Sequence, residues 1–188
     1  MENALQLIKA QDYKAMPWKN GQGETREIEI FPAHAEFSEM NFDWRISSAK
    51  MNAPSAFSIF PGYERILAVW QGEGFVLNGV RHDSQAPFAF SGEIPIDALP
   101  IGQVVTDLGI IYQRGKVRAQ MEIKIMAARA IRQTYALEPG LHFLVCTKGL
   151  FKTSDVVVEA GDTLRIQGPH KLHFESLHGA SCFHISLA

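Results

Sequence analysis

The sequence lacks a surplus of charge of either sign. Its 188 residues carry 18 Lys and Arg against 20 Asp and Glu, which gives a net charge of −2 at pH 7. The basic side chains are scattered along the chain, so the electrostatic footprint of a nucleic-acid-binding protein is missing. No apolar run approaches the ~18 residues that a membrane span needs. We therefore expect neither a nucleic-acid partner nor a membrane partner.

Cysteine is scarce as well. The two cysteines, Cys146 and Cys182, lie far apart in the sequence and form no CxxC motif. The N-terminal stretch MENALQLIKAQDY has neither a basic n-region nor an apolar h-region, so it does not resemble a secretion signal. We therefore predict a cytoplasmic protein with reduced thiols, and we interpret both cysteines as plain buried residues.

The short motifs of several enzyme classes are also absent. The stretch GQGETR contains Gly21 and Gly23 but not the third glycine of GxGxxG, and GxxxxGK[ST], GxSxG and HExxH do not occur. This argues against nucleotide-phosphate binding through those motifs. Ser47, Ser58 and Thr25 have no evident base at a recognisable spacing. The sequence therefore assigns no catalytic residue and no cofactor.

What the sequence does contain is a series of short runs rich in Ile, Val, Phe, Thr and Tyr, separated by Gly, Pro, Asn and Asp. Many short strands with turn signals between them favour an all-β sandwich or barrel. The stretch EAGDTLRI is typical of the turn and strand that follow a hairpin in a double-stranded β-helix. Two such barrels, stacked and assigned to 1–115 and 116–188, account for the length. We expect strands to be exchanged between them, so this boundary is approximate.

Histidine placement bears on whether such barrels hold a metal ion. A divalent metal needs two ligands at an HxH-like spacing on an inward face and a third ligand nearby. In GPHKLHFESL the apolar face belongs to Leu172 and Phe174, which sends His173 outward. In SCFHISL the alternation of apolar residues likewise places His184 on the other side. The sequence therefore predicts that no metal is bound.

Three arginines suggest a different kind of site. Arg26 alternates with two isoleucines, Arg65 alternates with Tyr63 and Leu67, and Arg45 shares its face with small residues. An unpaired buried guanidinium costs several kcal/mol, so each needs an acidic partner or an anionic ligand. Arg suits a carboxylate ligand because its planar fork binds both oxygens.

The residues themselves leave the choice between partner and ligand open. Ion pairs across strands would satisfy the same arginines, and the candidate acids are Glu24, Glu27, Asp43, Glu64 and Asp107. A strand-end arginine can also extend to water. Asn20 and Lys19 precede the Arg26 strand in a Gly-rich loop, where they would either close the mouth of a pocket or form a plain Asn-Gly turn.

Three blocks of the sequence, in the same order, resemble the HutD/Ves family: MPWKNGQGETREI, FDWRISSAKMNAPSAFSIFPGYERILAVWQGEG and VTDLGIIYQRG. The resemblance covers roughly residues 14–115 and is looser beyond them. The block residues are Trp18, Asn20, Gly21, Gly23, Thr25, Arg26, Trp44, Arg45, Ser58, Pro61, Gly62, Arg65, Asp107 and Arg114. Two departures are Gln22, where a glycine is expected, and the form of the third block.

This resemblance implies a bicupin, two cupin barrels in one chain, without the histidine-rich motifs of metal-dependent cupins. It also implies a link to histidine utilisation. There the family is thought to bind a small acidic intermediate, such as urocanate or N-formylglutamate, as a governor of flux. The Ves branch is instead connected with stress responses.

Residues and resemblance together predict a small acidic metabolite bound in the first barrel. Arg26, Arg45 and Arg65 would supply the charge. Asn20, Thr25 and Ser58 would orient the ligand, and Trp18, Trp44 and Phe60 would form the walls.

Two alternatives stay open beside this prediction. One is an isomerase or hydrolase of a small carboxylate, with or without a metal, that uses Glu64 or a histidine as acid or base. The other is a protein–protein module, for example a homodimer formed through the edge strand CFHISLA.

Overall fold

A computed structural model of the protein describes residues 4–18, 20–128, 130–153 and 156–188, without the side chains of 130–132. The predicted all-β class is confirmed, since sixteen strands and two short 3-10 turns, Ala10–Asp12 and Phe37–Glu39, make up the described elements. The strands are β1 (Leu5–Ile8), β2 (Lys14–Pro17), β3 (Gly23–Phe31), β4 (Trp44–Met51), β5 (Ser55–Ala56), β6 (Tyr63–Gln71), β7 (Phe75–Leu77), β8 (Val80–His82), β9 (Phe88–Ser91), β10 (Asp97–Pro100), β11 (Val105–Gln113), β12 (Ala119–Met126), β13 (Ala130–Lys152), β14 (Val157–Glu159), β15 (Thr163–Ser176) and β16 (Ala180–Leu187).

The chain divides into two compact units. The N-terminal unit is Tyr13–Arg118, and the C-terminal unit is Ala119–Ala188 together with the first strand, β1. The stretch 119–133, whose pattern is ambiguous between helix and strand, contributes β12 and the start of β13.

Two sheets form the N-terminal unit. The larger has the strand order β2-β3-β4-β11-β6-β9, and the smaller has the order β5-β10-β7-β8. Side chains alternate between the two faces of each strand, so one face of the larger sheet carries buried apolar residues from every second position. Its core includes Met51, Leu67, Val69 and Val105, and it extends to Phe75 and Leu77 of the smaller sheet.

In the C-terminal unit the strand order is β1-β15-β13-β16-β12, and β14 pairs with β13. β13 runs for 23 residues and changes register three times against β15, which lets one strand follow a curved sheet. Leu144, Leu164 and Ile166 are fully buried in its core. Cys146 and Cys182 are both buried free thiols that face each other across β13 and β16.

The pairing of the described strands leaves each sheet open at its edges. β2 and β9 each have one neighbour in the larger N-terminal sheet, as do β1 and β12 in the C-terminal sheet. Closed, hydrogen-bonded barrels are therefore not found within the described ranges. In those same ranges, no helix has the length and apolar character to cross a bilayer.

Candidate functional site

One face of the larger N-terminal sheet collects charged residues among apolar ones. The register places Arg45 of β4 and Arg65 of β6 opposite the same residue, Ile111 of β11, so both arginines project from one face with a single strand between them. One step along, Ser47 and Leu67 flank Gly109 in the same way. We call this surface, with Thr25, Glu27 and Asp107, the arginine face.

Arg45 is the most enclosed charged residue of this face, with 2% of its surface exposed. Its Nε donates to Glu27 Oε2 at 2.6 Å, its Nη1 donates to Ser47 Oγ at 3.3 Å, and the guanidinium lies 4.0 Å from the centre of the Phe37 ring. Nη2 is buried and has no hydrogen-bond partner in the described part of the chain. Burial lowers the pKa of Arg45, while Glu27 opposes the shift.

Arg65 sits among aromatic rings. Its guanidinium carbon is 4.7 Å from the Phe57 ring, 5.2 Å from the Phe90 ring and 5.7 Å from the Phe60 ring. Its Nη1 donates a long hydrogen bond of 3.5 Å to the Ser58 carbonyl. Burial lowers the pKa of Arg65 to about 10, opposed by the charge of Asp107 and reinforced by that of Arg45. Stacking on rings leaves the in-plane donors of a guanidinium available.

Asp107 completes the charge pattern. Its Oδ1 accepts a hydrogen bond of 2.8 Å from the backbone N–H of Ala49. Burial raises the pKa of Asp107 to about 7, although this hydrogen bond and the positive charge of Arg65 both act against the shift. The carboxyl therefore binds a proton much more readily than an exposed aspartate, and Arg65 is only partly neutralised by it.

Trp18 and Thr25 lie at the other end of this face. The indole Nε1 of Trp18 donates to Thr25 Oγ1 at 2.9 Å, and Trp18 packs against the core of the unit. A Cβ on Gly23 would come within 2.7 Å of the Trp18 ring and 2.6 Å of the Lys50 carbonyl. Glycine at the first position of β3 is thus required for the Trp18 ring to lie across the strand.

The predicted facing of Arg26 is wrong. Its side chain is 54% exposed, and its Nε donates to Glu24 Oε1 at 2.7 Å on the opposite face of the sheet. The cause is a β-bulge, because the register between β3 and β4 shifts between Glu27 and Glu29. Alternation counted from Ile28 therefore assigns the wrong face to everything before the bulge.

Trp44 also faces away from the predicted pocket. It stacks on Phe31, with ring centroids 5.9 Å apart, on the face opposite Arg45. Neighbouring residues of one strand point to opposite faces, so Trp44 and Arg45 do not border the same space. Phe60, by contrast, is buried and contacts both Phe37 and Arg65, as a wall residue would.

The remaining predicted ligand residues lie at the surface. Ser58 is exposed and contributes its backbone carbonyl to Arg65. Asn20 is exposed, and its Oδ1 accepts from the backbone N–H of Gln22, which is the plain-turn interpretation. Lys19 lies outside the described residues. Glu64, the acid–base candidate of the enzyme alternative, accepts from Arg114 Nε at 2.6 Å.

Sequence reasoning underestimated Glu27, Asp107 and the phenylalanines that surround Arg65. The sequence predicts Glu27 and Asp107 as ion-pair partners, and Asp107 also as a residue of the family blocks, because nothing in the spacing separates a partner from a member of the site. Phe57 and Phe90 lie in loops and short strands whose approach to Arg65 depends on pairing of distant segments, such as Phe90 with Arg65 across β9 and β6.

The C-terminal unit buries His184, which the alternation pattern places outside, together with His142. His142 and His184 are 4% and 6% exposed, and His142 Nδ1 lies 3.1 Å from His184 Nε2. Six of the eight residues of β16 are buried, and they lie on both faces of the strand, so alternation alone does not identify an outward-facing side. Among the described residues, no group of three or more His, Cys, Asp or Glu side chains is arranged to hold a metal ion.

These two histidines form a chain of hydrogen bonds, which we call the histidine network. His142 Nε2 donates to the Glu138 carbonyl at 2.9 Å, so Nδ1 of a neutral His142 accepts from His184 Nε2. His184 Nδ1 lies 2.9 Å from the Tyr135 hydroxyl and 3.0 Å from Glu122 Oε1. Burial lowers the pKa of His184, and Glu122 opposes this shift.

Comparison with known proteins places the chain in a family. The family model described as HutD matches residues 10–183. An uncharacterized 21.2 kDa protein in the hutC 3' region of Pseudomonas putida is 38% identical over 123 residues, a match that spans 63% of each chain. Protein Ves of Citrobacter koseri is 33% identical over 161 residues, which is 79% of this chain and 78% of its own.

Solved structures agree at the level of fold. HutD from Pseudomonas fluorescens SBW25, described in a formate condition, has a TM-score of 0.77 and 26% identity, and the match covers 98% of both chains. The bacterial pirin YhhW from Escherichia coli, solved in complex with nickel(II), has a TM-score of 0.68 and 11% identity over 97% of this chain and 98% of its own. The second likeness supports a cupin-like all-β fold and nothing further.

Proposed function

The chain belongs to the HutD family, and on that premise we propose that it binds a small carboxylate on the arginine face of its N-terminal unit. The observation that carries this proposal is Arg45 Nη2, a buried donor without a partner among the described residues. Buried donors are almost always hydrogen-bonded in folded proteins, and a ligand oxygen supplies what is missing here.

Arg65 supports the same conclusion from a different direction. Its one hydrogen bond to a described residue is the 3.5 Å contact with the Ser58 carbonyl, and three phenylalanine rings exclude water from its faces. A carboxylate could therefore bind to the edge of this guanidinium in a setting of low polarity. Charge-assisted hydrogen bonds of this kind contribute about 1.5–3 kcal/mol each.

The balance of charge on this face favours an anion. Glu27 neutralises Arg45, but Asp107, with its pKa raised to about 7, neutralises Arg65 only in part. A carboxylate that binds at Arg65 stabilises the protonated form of Asp107, because two negative charges in close proximity repel each other. Binding then takes up a proton and becomes weaker as the pH rises above about 7.

The names of two relatives support a metabolic role for the family. The Pseudomonas putida protein is encoded in the hutC 3' region, and the Pseudomonas fluorescens structure is of HutD. We therefore propose that the ligand is a small acidic intermediate of histidine utilisation, such as N-formylglutamate or urocanate, and that the protein governs flux without turning the ligand over. Two or three charge-assisted hydrogen bonds support roughly micromolar to millimolar affinity.

Three further properties complete the proposal. Each unit is a cupin-type double-stranded β-helix, the ligand is held by arginines without a metal or cofactor, and the protein works in the cytoplasm. The second of these has a direct test, because treatment with EDTA would then leave both stability and ligand affinity unchanged.

A panel of thermal unfolding measurements tests the binding proposal. Formate, N-formylglutamate, urocanate, glutamate and histidine are compared with formamide, the neutral analogue of formate. A ligand at 100 times its Kd adds about 2.7 kcal/mol of stability. We expect stabilisation by at least one acid and none by formamide. No stabilisation by any acid, or equal stabilisation by formamide, would contradict the proposal.

One observation favours a second candidate function. A buried carboxyl with a pKa of about 7 beside an arginine is suited to general acid–base catalysis at neutral pH. In this alternative Asp107 moves a proton on a small carboxylate substrate, which Arg65 holds. Isomerisation or hydrolysis of any acid in the panel, lost in Asp107→Asn, would establish it in place of the role without turnover.

A further inference from the structure

The C-terminal unit contains an open cleft of about 430 Å³. The cleft shares no residue with the arginine face. Its lining is Lys124, Ile125, Met126, Gln133, Thr134, Tyr135, Leu144 and Phe174. This volume lies within the range of small-molecule sites in proteins. We call it the Lys124 cleft.

The floor of the Lys124 cleft is apolar and firmly built. Met126, Leu144 and Phe174 are all buried core residues of the unit. At the rim, Ile125 is 81% exposed, so the opening is apolar as well. A ligand with an apolar body would therefore remove apolar surface from water on two sides.

The cleft has few polar side chains. Lys124 is the one charged residue in its lining, and its Nζ lies 4.5 Å from the centre of the Tyr135 ring. The ammonium contacts Glu122 Oε1 at 2.9 Å and also makes a hydrogen bond with Tyr135, so one of its three donors is left for a ligand. Gln133 is half-buried and also lines the cleft.

From this arrangement we propose that the Lys124 cleft binds a small monocarboxylate with an apolar or aromatic body. The carboxylate accepts hydrogen bonds from Lys124 Nζ and from the Gln133 amide, and the body packs against Met126, Leu144 and Phe174. The inference is independent of the proposed ligand of the arginine face, because the two sites share no residue.

Reporters native to the chain can distinguish the two sites. All three tryptophans, Trp18, Trp44 and Trp70, belong to the N-terminal unit. Met126 lines the cleft, whereas Met121 lies on the other face of β12 and Met51 lies in the N-terminal core. Labelling the six methionines with ¹³C at the methyl group therefore gives one signal at the cleft, from Met126, and two internal controls, from Met51 and Met121.

The test is a titration of the labelled full-length protein with 3-phenylpropionate, followed through the Met126 methyl signal. We expect a saturable shift of Met126 with little change at Met51 or in tryptophan fluorescence. 3-Phenylpropionamide lacks the negative charge of 3-phenylpropionate. It should therefore bind at least about tenfold more weakly than the acid, as expected when one charge-assisted contact is removed. Lys124→Met should weaken 3-phenylpropionate binding by a similar factor, and Lys148→Met, at an exposed lysine outside the cleft, should not.

Each contrary result overturns the inference. No saturable Met126 shift below about 10 mM means that the cleft does not bind this class of ligand. Equal binding of the acid and the amide means that Lys124 does not recognise the carboxylate, a result that holds even if Lys124→Met folds poorly. A shift at Met51 and in tryptophan fluorescence without one at Met126 assigns 3-phenylpropionate to the N-terminal unit instead.

Discussion

The two units of the chain bury polar side chains in different ways. In the N-terminal unit the ion pair of Arg45 and Glu27 is buried, and one donor of Arg45 is left without a partner among the described residues. In the C-terminal unit the imidazoles of His142 and His184 are buried, and both nitrogens of each ring have a partner. The hydrogen bonding of the arginine face is incomplete, and that of the histidine network is complete.

The difference separates a binding surface from a structural network. A fully paired set of buried groups fixes the geometry of a core and has little left to offer a ligand. An unpaired donor costs about 1–3 kcal/mol, and that cost is recovered when a ligand oxygen reaches it. The unpaired donor of Arg45 is charged and therefore favours an acid on the arginine face, whereas Trp70 Nε1, the other buried donor without a partner among the described residues, carries no charge.

The largest expected effect concerns the buried ion pair. Glu27→Ala leaves the guanidinium of Arg45 enclosed without a counter-charge and should lower the free energy of unfolding by about 3–5 kcal/mol. Glu24→Ala breaks the exposed pair with Arg26 on the other face of the same strand and should cost less than about 1 kcal/mol. Urea denaturation of both variants measures the contrast.

A double variant gives the control for this prediction. Glu27→Met combined with Arg45→Met removes both charges and should recover much of the stability lost in Glu27→Ala. Similar losses in the Glu24 and Glu27 variants would mean that the Arg45–Glu27 pair is not enclosed, and the contrast between the two faces of β3 would disappear.

Asp107 gives the next largest effect, through pH. Because its folded-state pKa of about 7 lies above the ordinary value of 3.8, the folded protein binds the extra proton between these two values. The stability of the protein should therefore fall as the pH rises from about 4 to about 7, by a contribution on the order of 2–4 kcal/mol. Asp107→Asn keeps an acceptor for the Ala49 N–H and should abolish that contribution. An unchanged pH profile in this variant would show that Asp107 is ionised like an exposed carboxylate.

The sequence predicted the all-β class and the enclosure of two of the three arginines, and it missed the face of the third. Strand alternation is a local signal, so Arg45 and Arg65 could be placed from their own neighbours. The bulge at Glu27–Glu29 depends on pairing with β4, which no local pattern reveals. His184 was misplaced for a related reason, because burial of both faces of β16 is a property of the assembled unit.

His184 should give a smaller pH effect of the opposite sign. Its pKa is lowered by burial, so the folded state resists protonation and stability should fall as the pH drops below about 6.5. The groups that face it are His142, Tyr135 and Glu122. Burial acts to raise the pKa of Glu122, but hydrogen bonds from Lys124 and Tyr135 outweigh it and lower that pKa to about 2. His184→Gln should reduce the acid-side loss, and thermal unfolding between pH 7 and pH 5 measures it. A steeper acid-side loss in the variant would mean that the network stabilises a charged His184.

The smallest expected effect is at Arg26. Arg26→Met replaces an exposed side chain outside the arginine face, so both stability and carboxylate affinity should stay close to those of the unaltered protein, within about 0.5 kcal/mol. Calorimetric titration with the acid that stabilises the protein most provides the affinity. A tenfold loss of affinity in Arg26→Met would return this residue to the site and contradict the assignment of faces.

The most direct test compares Arg65→Met with Arg26→Met in the affinity for N-formylglutamate, measured by titration calorimetry. The two variants remove the same charge from opposite faces of one sheet, and only Arg65 belongs to the proposed site. We expect at least a tenfold loss of affinity in Arg65→Met and no significant change in Arg26→Met. Equal affinities in the two variants, or a loss confined to Arg26→Met, would contradict binding of a carboxylate on the arginine face.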